Sequence, residues 1–208
     1  MSYCFSPNCK APVNPNDVTQ SQGCGASLIL RNRYLILQPI SSGGFGKTFL
    51  AVDLDMPYKL RYVVKQFLPR SFNSEDTIKA ANLVKQEAFL LEKLGRHMQI
   101  HSLFGYFKVE NILYFVQEFV DAQDLQKELQ ANETFDRPKL IELLKNILPV
   151  LKFVHENNII HRDIKSANIL RAKDGQFVLI NFGAAKPNSQ KDMALGSVFG
   201  SRGYIAPT

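Results

Sequence analysis

The sequence predicts an α+β chain, with a β-rich first part carrying one long helix and a mainly helical second part. Three observations point there. Strand-like runs of β-branched and aromatic residues recur between Arg33 and Phe119. A helical apolar stripe interrupts them between Ser74 and Gly95, and beyond Val120 the period turns helical. The chain has 208 residues, 45% of them hydrophobic, enough for one large domain or two small lobes. Its expected organisation is an arm at 1–32, a β-rich lobe at 33–120 and a helical lobe at 121–208.

Residues 1–32 are rich in Pro, Asn, Ser and Gly and hold all three cysteines, Cys4, Cys9 and Cys24. No regular period runs through them, so order there is expected to need a staple. From Arg33 the pattern becomes strand-like: Tyr34 to Leu37, a glycine-rich turn at 41–46, then Thr48 to Val52, with a further strand from Arg61 to Phe67. Ser74 is an N-cap candidate with acids behind it, opening a helix whose stripe is Ile78, Ala81, Val84, Ala88, Leu91 and Leu94; Gly95 is its expected stop. Strands at 103–108 and 112–119 flank a Glu110-Asn111 turn. Asp136 begins an amphipathic helix through Leu140, Leu143, Leu144, Ile147, Leu151 and Val154, and Pro149 inside it predicts a kink or break. Strand-like pieces at 169–171 and 177–180 flank the Asp174-Gly175 hairpin signal.

Composition excludes several classes. The densest apolar run, Ile112 to Val116, is strand-sized, far short of the roughly 18 residues of a membrane span. Met1 to Pro7 has no basic start and apolar core, so no signal peptide is expected. Three clustered cysteines do not make a disulfide scaffold and point to a reducing, cytoplasmic setting. The net charge is +6, yet the 25 basic residues are scattered among 19 acidic ones, so nucleic acid is not the expected partner.

Three constellations carry chemistry. Ile40 to Gly46 places Gly43, Gly44 and Gly46 between two strands, where backbone N–H groups can approach phosphates; a tight hairpin would use the same glycines. Lys65 lies in the apolar strand Tyr62-Val-Val-Lys, and Glu87 falls on the helical stripe. A buried lysine would satisfy that carboxylate, and an exposed position at the edge of the stripe is the alternative. The third runs from His161 to Asn168 and is followed thirteen residues later by Asn181-Phe-Gly183. Here Asp163 can accept a hydroxyl proton, Lys165 can neutralise charge on a transferring phosphoryl, and Asn168 can offer an oxygen to a metal.

With these motifs in this order, the chain from Arg33 onward resembles the eukaryotic-like (Hanks-type) bacterial serine/threonine protein kinases. The resemblance implies a two-lobe kinase fold and phosphoryl transfer from ATP to protein Ser or Thr. It also gives roles. Ile40, Gly43, Gly44 and Gly46 would cover the nucleotide. Lys65 would hold its phosphates and pair with Glu87. Gln117 would be the gatekeeper, with Glu118 to Val120 as the adenine-contacting hinge. Asp163 would be the catalytic base, Lys165 the phosphate-side cation favouring serine/threonine specificity, and Asn168 a metal ligand. Gly200 to Pro207 resembles the segment that seats substrate, with Ser201 for the usual Thr. Arg162 resembles the anchor of a phosphorylated activation segment, for which Ser189 and Ser197 are candidates. The arm resembles a four-cysteine ribbon of some such kinases, matched by Cys4, Cys9 and Cys24-Gly25, with Ser21 at the third position. That resemblance implies zinc, bound more weakly through three thiolates and a hydroxyl or water.

Departures from the pattern predict lost function. Ser41 replaces the first glycine of the phosphate loop. Asn181 stands where the family has the Asp that holds Mg²⁺, so magnesium should bind weakly at Asn168 and Asn181, at a cost of several kcal/mol at about 1.36 kcal/mol per tenfold in rate. The chain stops at Thr208, where the family continues with further helices; a truncated chain is expected to expose apolar surface on the 138–155 helix. Two expectations result: a protein kinase impaired or inactive in this chain, or a pseudokinase module binding nucleotide or a regulatory protein partner, a truncated gene product being the bland form of the second.

Overall fold

The computed structural model describes residues 1–43, 46–68, 74–132, 134–188 and 204. They fall into two compact units, residues 1–82 with 103–119, and residues 83–102 with 120–208.

The first unit is built on one antiparallel sheet. Its strands are β3 (Ile29–Leu30), β4 (Tyr34–Gly43), β5 (Gly46–Asp53), β6 (Arg61–Phe67), β7 (Leu103–Val109) and β8 (Ile112–Glu118), in the order β3-β4-β5-β6-β8-β7. Alternation divides their side chains between two faces. One face carries Tyr34, Ile36, Phe49, Ala51, Tyr62, Val64, Tyr114 and Val116, which form the core of the unit. Lys65, paired with Thr48 and Phe115, and Gln117, paired with Val63, lie on the other face. The β7–β8 hairpin turns on Glu110 and Asn111, both with positive φ (46° and 67°), the backbone a two-residue primed turn demands. At the far end of β5, Arg33 grips the buried Asp53 with Nη2···Oδ2 at 2.7 Å and Nε···Oδ1 at 3.0 Å. These bonds hold the Asp53 carboxyl below its usual range.

The arm is ordered by pairing and packing. β1 (Ser2–Tyr3) pairs with β2 (Val13–Asn14), and Tyr3 and Phe5 pack on the core face against Phe49 and Tyr114. Gln66 on β6 donates from Nε2 to the Phe5 carbonyl at 3.0 Å and to Tyr114 Oη at 2.9 Å. Such non-local contacts leave no periodic trace, which is why the sequence showed none here.

Gly46 is fixed by the sheet itself. Its φ is +140°, and a Cβ there would collide with the Gln66 carbonyl on β6. Gly43, its hairpin partner, has open space around the same position. Gly46→Ala is therefore expected to cost at least about 2–3 kcal/mol and Gly43→Ala under about 1 kcal/mol. Thermal melts of the two variants check this; equal melting temperatures would refute it.

Helix α1 (Ser74–Leu94) runs from the first unit into the second, its residues from Leu83 onward belonging to the latter. It ends where the sequence predicted: Gly95 has φ +63° and donates its N–H to the Leu91 and Glu92 carbonyls. The second unit continues with β9 (Ala122–Asp124), α2 (Leu125–Asn132), α3 (Arg137–Glu156), β10 (Ile159–Ile160), β11 (Ile169–Ala172), β12 (Phe177–Leu179) and β13 (Lys186–Pro187). Strands β12-β11-β9 form a three-stranded sheet and β10-β13 a two-stranded one. The N-cap of α3 is Asp136, which accepts from the Lys139 N–H at 3.0 Å.

Two expectations for α3 need correction. The helix runs unbroken through Pro149, and its buried residues are Ile147, Val150 and Val154. Leu140 and Leu144, placed on the inward stripe, are 48% and 46% exposed, beside exposed Ile141 and Leu148. Its apolar residues span about half of its circumference, opposite Lys139, Glu142, Lys145, Lys152 and Glu156, and only one side of that wide face is buried. Among the described residues no helix is long and apolar enough to cross a membrane.

Candidate active site

The run from His161 to Asn168 folds into a loop whose polar groups converge on Asp163. Asp163 Oδ2 accepts from Lys165 Nζ at 3.0 Å and from Asn168 Nδ2 at 2.8 Å, and the same Nδ2 reaches the Asp163 carbonyl at 2.8 Å. Two donors on one oxygen fix the plane of the carboxylate. Asn168 is buried in a short 3₁₀ turn, Ser166–Asn168, whose position is set by the Ile180 N–H bonding to the Asn168 carbonyl at 3.0 Å.

His161 anchors the loop from below. It is 1% exposed, its Nε2 is 3.2 Å from the Ile180 carbonyl, and its Nδ1 accepts the Asp163 N–H at 3.3 Å. That assignment leaves the proton on Nε2 and the ring neutral. Burial pushes its pKa down to about 4. The ring packs edge-on against the fully buried Phe182 at 4.6 Å between centroids, and His101 lies 6.0 Å from the same ring.

Asn181 adopts a left-handed backbone (φ 67°, ψ 71°), which asparagine tolerates well. Its Nδ2 donates to Asn168 Oδ1 at 3.3 Å. Two residues on, Gly183 lies against Glu87: a Cβ there would sit 3.3 Å from Glu87 Oε2 and 3.7 Å from Asn181 Oδ1. Glu87 is 2% exposed, so the core-facing reading of its stripe position holds and the exposed alternative does not. Its neighbour Gln86 donates from Nε2 to the Ala185 carbonyl at 2.8 Å, tying α1 to the segment after Asn181. Nothing in the sequence singled Gln86 out, because its partner is a main-chain oxygen 99 residues away.

The remaining candidates lie in the first unit or at its edge. Ile40 and Gly43 are on β4, Gly46 opens β5, and Lys65 on β6 has its Nζ 5.0 Å from the Phe67 ring centre. Gln117 on β8 is buried, with no hydrogen-bond partner for its Nε2, and Glu118 ends that strand exposed. Val120 begins the second unit. Gly44, Ser189, Ser197 and the 200–207 segment apart from Tyr204 lie outside the described residues. Tyr204 Oη is 2.8 Å from Ser166 Oγ.

The protein kinase domain family matches residues 34–208 of this sequence. Serine/threonine-protein kinase B of Synechocystis sp. is 41% identical over 198 residues, covering 95% of this chain and 34% of that protein. This chain belongs to the Hanks-type serine/threonine protein kinases. PknA of Nostoc sp. is 40% identical over 185 residues, 85% of this chain and 33% of that kinase. A plant kinase, MAP3K epsilon protein kinase 2 of Arabidopsis thaliana, is 30% identical over 183 residues, 87% of this chain and 13% of its own. The chain spans about a third of the length of the two cyanobacterial kinases.

Kinases of this family use ATP with Mg²⁺. The amides at the expected metal position fit magnesium poorly in this kinase chain. Both are neutral, and Asn168 Oδ1 already accepts a hydrogen bond from Asn181. The thiols of the arm fit a metal better. The sulfurs of Cys4, Cys9 and Cys24 lie within 4.8 Å of one another, a soft donor set suited to zinc. Burial pushes the Cys4 thiol up to about 11. The exposed Cys24 thiol is pulled down to about 7, chiefly by the Ala26 N–H and then by the Ser21 hydroxyl.

Proposed function

We propose that this chain is the nucleotide-binding and catalytic-loop part of a protein kinase whose transfer of phosphate to protein Ser or Thr is strongly impaired. The observation that carries the reading is the pairing of an ordered Asp163–Lys165–Asn168 cluster with a neutral Asn181 bonded to Asn168. In this reading Asp163 takes the proton of the attacking hydroxyl and Lys165 offsets charge on the transferring phosphoryl. In the same reading Lys65 holds the nucleotide phosphates under the glycine loop, and Gln117, Glu118 and Val120 are assigned to the adenine. The charged ligand that would hold the metal is missing, and that loss is worth a few orders of magnitude in rate. ATP and a protein substrate or regulatory protein are the proposed partners.

Incubation with γ-labelled ATP and generic protein substrates, with Mg²⁺ or Mn²⁺, is expected to transfer no more label than an Asp163→Ala control. Robust transfer that vanishes in that control would overturn the impairment and leave the site assignment standing.

We also infer that Cys4, Cys9 and Cys24 hold one zinc ion through their thiolates and that the protein works in a reducing, cytoplasmic setting. The convergence of the three sulfurs supports this. Metal analysis of protein purified without chelator is expected to find about one zinc per chain, falling towards none in Cys24→Ser.

A further inference from the structure

Three thiolates leave one corner of a tetrahedral zinc site to be filled, and the arm places one side chain there. We infer that Ser21 Oγ is the fourth ligand, making a three-sulfur, one-oxygen zinc site whose oxygen corner is the weak and exchangeable one. This rests on the zinc reading of the arm given above.

Two of the donor spacings match those of a metal site, and the three sulfurs lie within 4.8 Å of one another. Sulfurs bound at about 2.3 Å to one tetrahedral zinc stand about 3.8 Å apart, and a sulfur and an oxygen ligand stand about 3.5 Å apart. Cys4 Sγ and Cys24 Sγ are separated by 3.6 Å, and Cys9 Sγ and Ser21 Oγ by 3.5 Å. Ser21 is 3% exposed, and its hydroxyl sits 3.5 Å from the Cys9 sulfur, beside the Cys4–Cys24 pair.

The backbone orients the Ser21 hydroxyl. Ser21 Oγ accepts the N–H of Gly23, two residues further on, at 3.2 Å. Amide donors of this kind orient a ligand atom and offset the negative charge it shares with a metal. The turn carrying Ser21 and Cys24 is closed by Ser21 N–H to the Ala26 carbonyl and Gly25 N–H to the Ser21 carbonyl, both at 2.8 Å. Ser21 therefore sits in a turn built to aim a donor atom. A neutral hydroxyl is a poorer zinc ligand than a thiolate, so this corner is where water or an added ligand would exchange.

The test uses the full chain loaded with Co²⁺, followed by zinc competition against a chromophoric chelator. Wild type is expected to show tetrahedral d–d bands with thiolate charge transfer from three sulfurs. In Ser21→Cys the charge-transfer intensity rises by about a third, the d–d bands move to longer wavelength, and zinc binds at least about tenfold more tightly. Ser21→Ala, which keeps the three thiolates, is expected to bind zinc several-fold more weakly than wild type. If Ser21→Ala matches wild type in cobalt spectrum and zinc affinity, or Ser21→Cys fails to tighten binding, Ser21 is not a ligand although the thiolate site stands. If neither wild type nor Ser21→Cys takes up cobalt or zinc, the zinc reading itself falls. Far-UV circular dichroism of each variant establishes that the comparison is between folded proteins.

Discussion

Asn181→Asp is expected to make nucleotide binding strongly dependent on Mg²⁺, where wild type shows little dependence. In wild type the metal position offers two neutral amides, and one of them spends its N–H on the oxygen of the other. Magnesium sheds its water reluctantly and favours charged oxygen ligands, so it gains little from this pair. A carboxylate at 181 removes the competing donor and adds a formal charge where the metal would sit. The effect expected is at least tenfold in Mg²⁺-dependent nucleotide affinity, about 1.4 kcal/mol. At saturating nucleotide that corresponds to roughly 3–6 °C of added thermal stabilisation in a chain of this size. Melting curves with an ATP analogue, with and without Mg²⁺, measure it. Asn181→Ala is the control and should resemble wild type. A large Mg²⁺-dependent shift in wild type would show that the neutral pair is no obstacle.

His161 should make the protein acid-sensitive between about pH 4 and 6.5. Its folded pKa, about 4, lies below the ordinary value of 6.5, because burial disfavours the charged ring. Between those values the unfolded chain binds a proton that the folded chain does not, so stability rises with pH there and is level above 6.5. Falling from pH 7 to 4, His161 alone accounts for a loss of about 3 kcal/mol, at about 1.36 kcal/mol per pKa unit. The measurement is urea unfolding across that range for wild type and His161→Phe. An aromatic ring keeps the contact with Phe182 while removing the titration. The difference in unfolding free energy between the two proteins should change with pH by that amount. A constant difference would mean that the ring carries its proton when folded.

Much of the second unit's chemistry was legible because it is local. Asp163, Lys165 and Asn168 lie within six residues, and a single turn of backbone suffices to bring the three side chains together. The hairpin at Asp174-Gly175 and the stop at Gly95 were legible for the same reason, since a left-handed residue at a fixed place announces itself. Glu87 was legible only as a paradox, a carboxylate on a core stripe. Its burial against Gly183 needed two segments nearly a hundred residues apart. The phase of α3 was legible in part: Ile147 and Val154 of the expected stripe are buried, while Leu140 and Leu144 are not. Leucine and isoleucine fill a face wider than its neighbours cover, and packing on β10 and β12 selects Ile147, Val150 and Val154 from it. Pro149 predicts a kink or a local break, and the helix continues past it. One missing N–H within a helix of 20 residues was not enough to end it.

By itself the sequence determined the α+β class, the longer strands from Tyr34 onward, the helices opening at Ser74 and after Asp136, and the short constellations whose members are neighbours along the chain. Those depend on backbone period and turn chemistry, which are properties of a few consecutive residues. The tertiary structure decided what distance along the chain conceals. It turned Lys65 and Gln117 to the face of the sheet opposite the one the arm covers, and it made Gly46 obligatory through a carbonyl on the next strand. It also gathered Cys4, Cys9, Ser21 and Cys24, spread over 21 residues, around one point. In each case the cause is long-range packing, because burial and close approach are set by partners that no local pattern encodes.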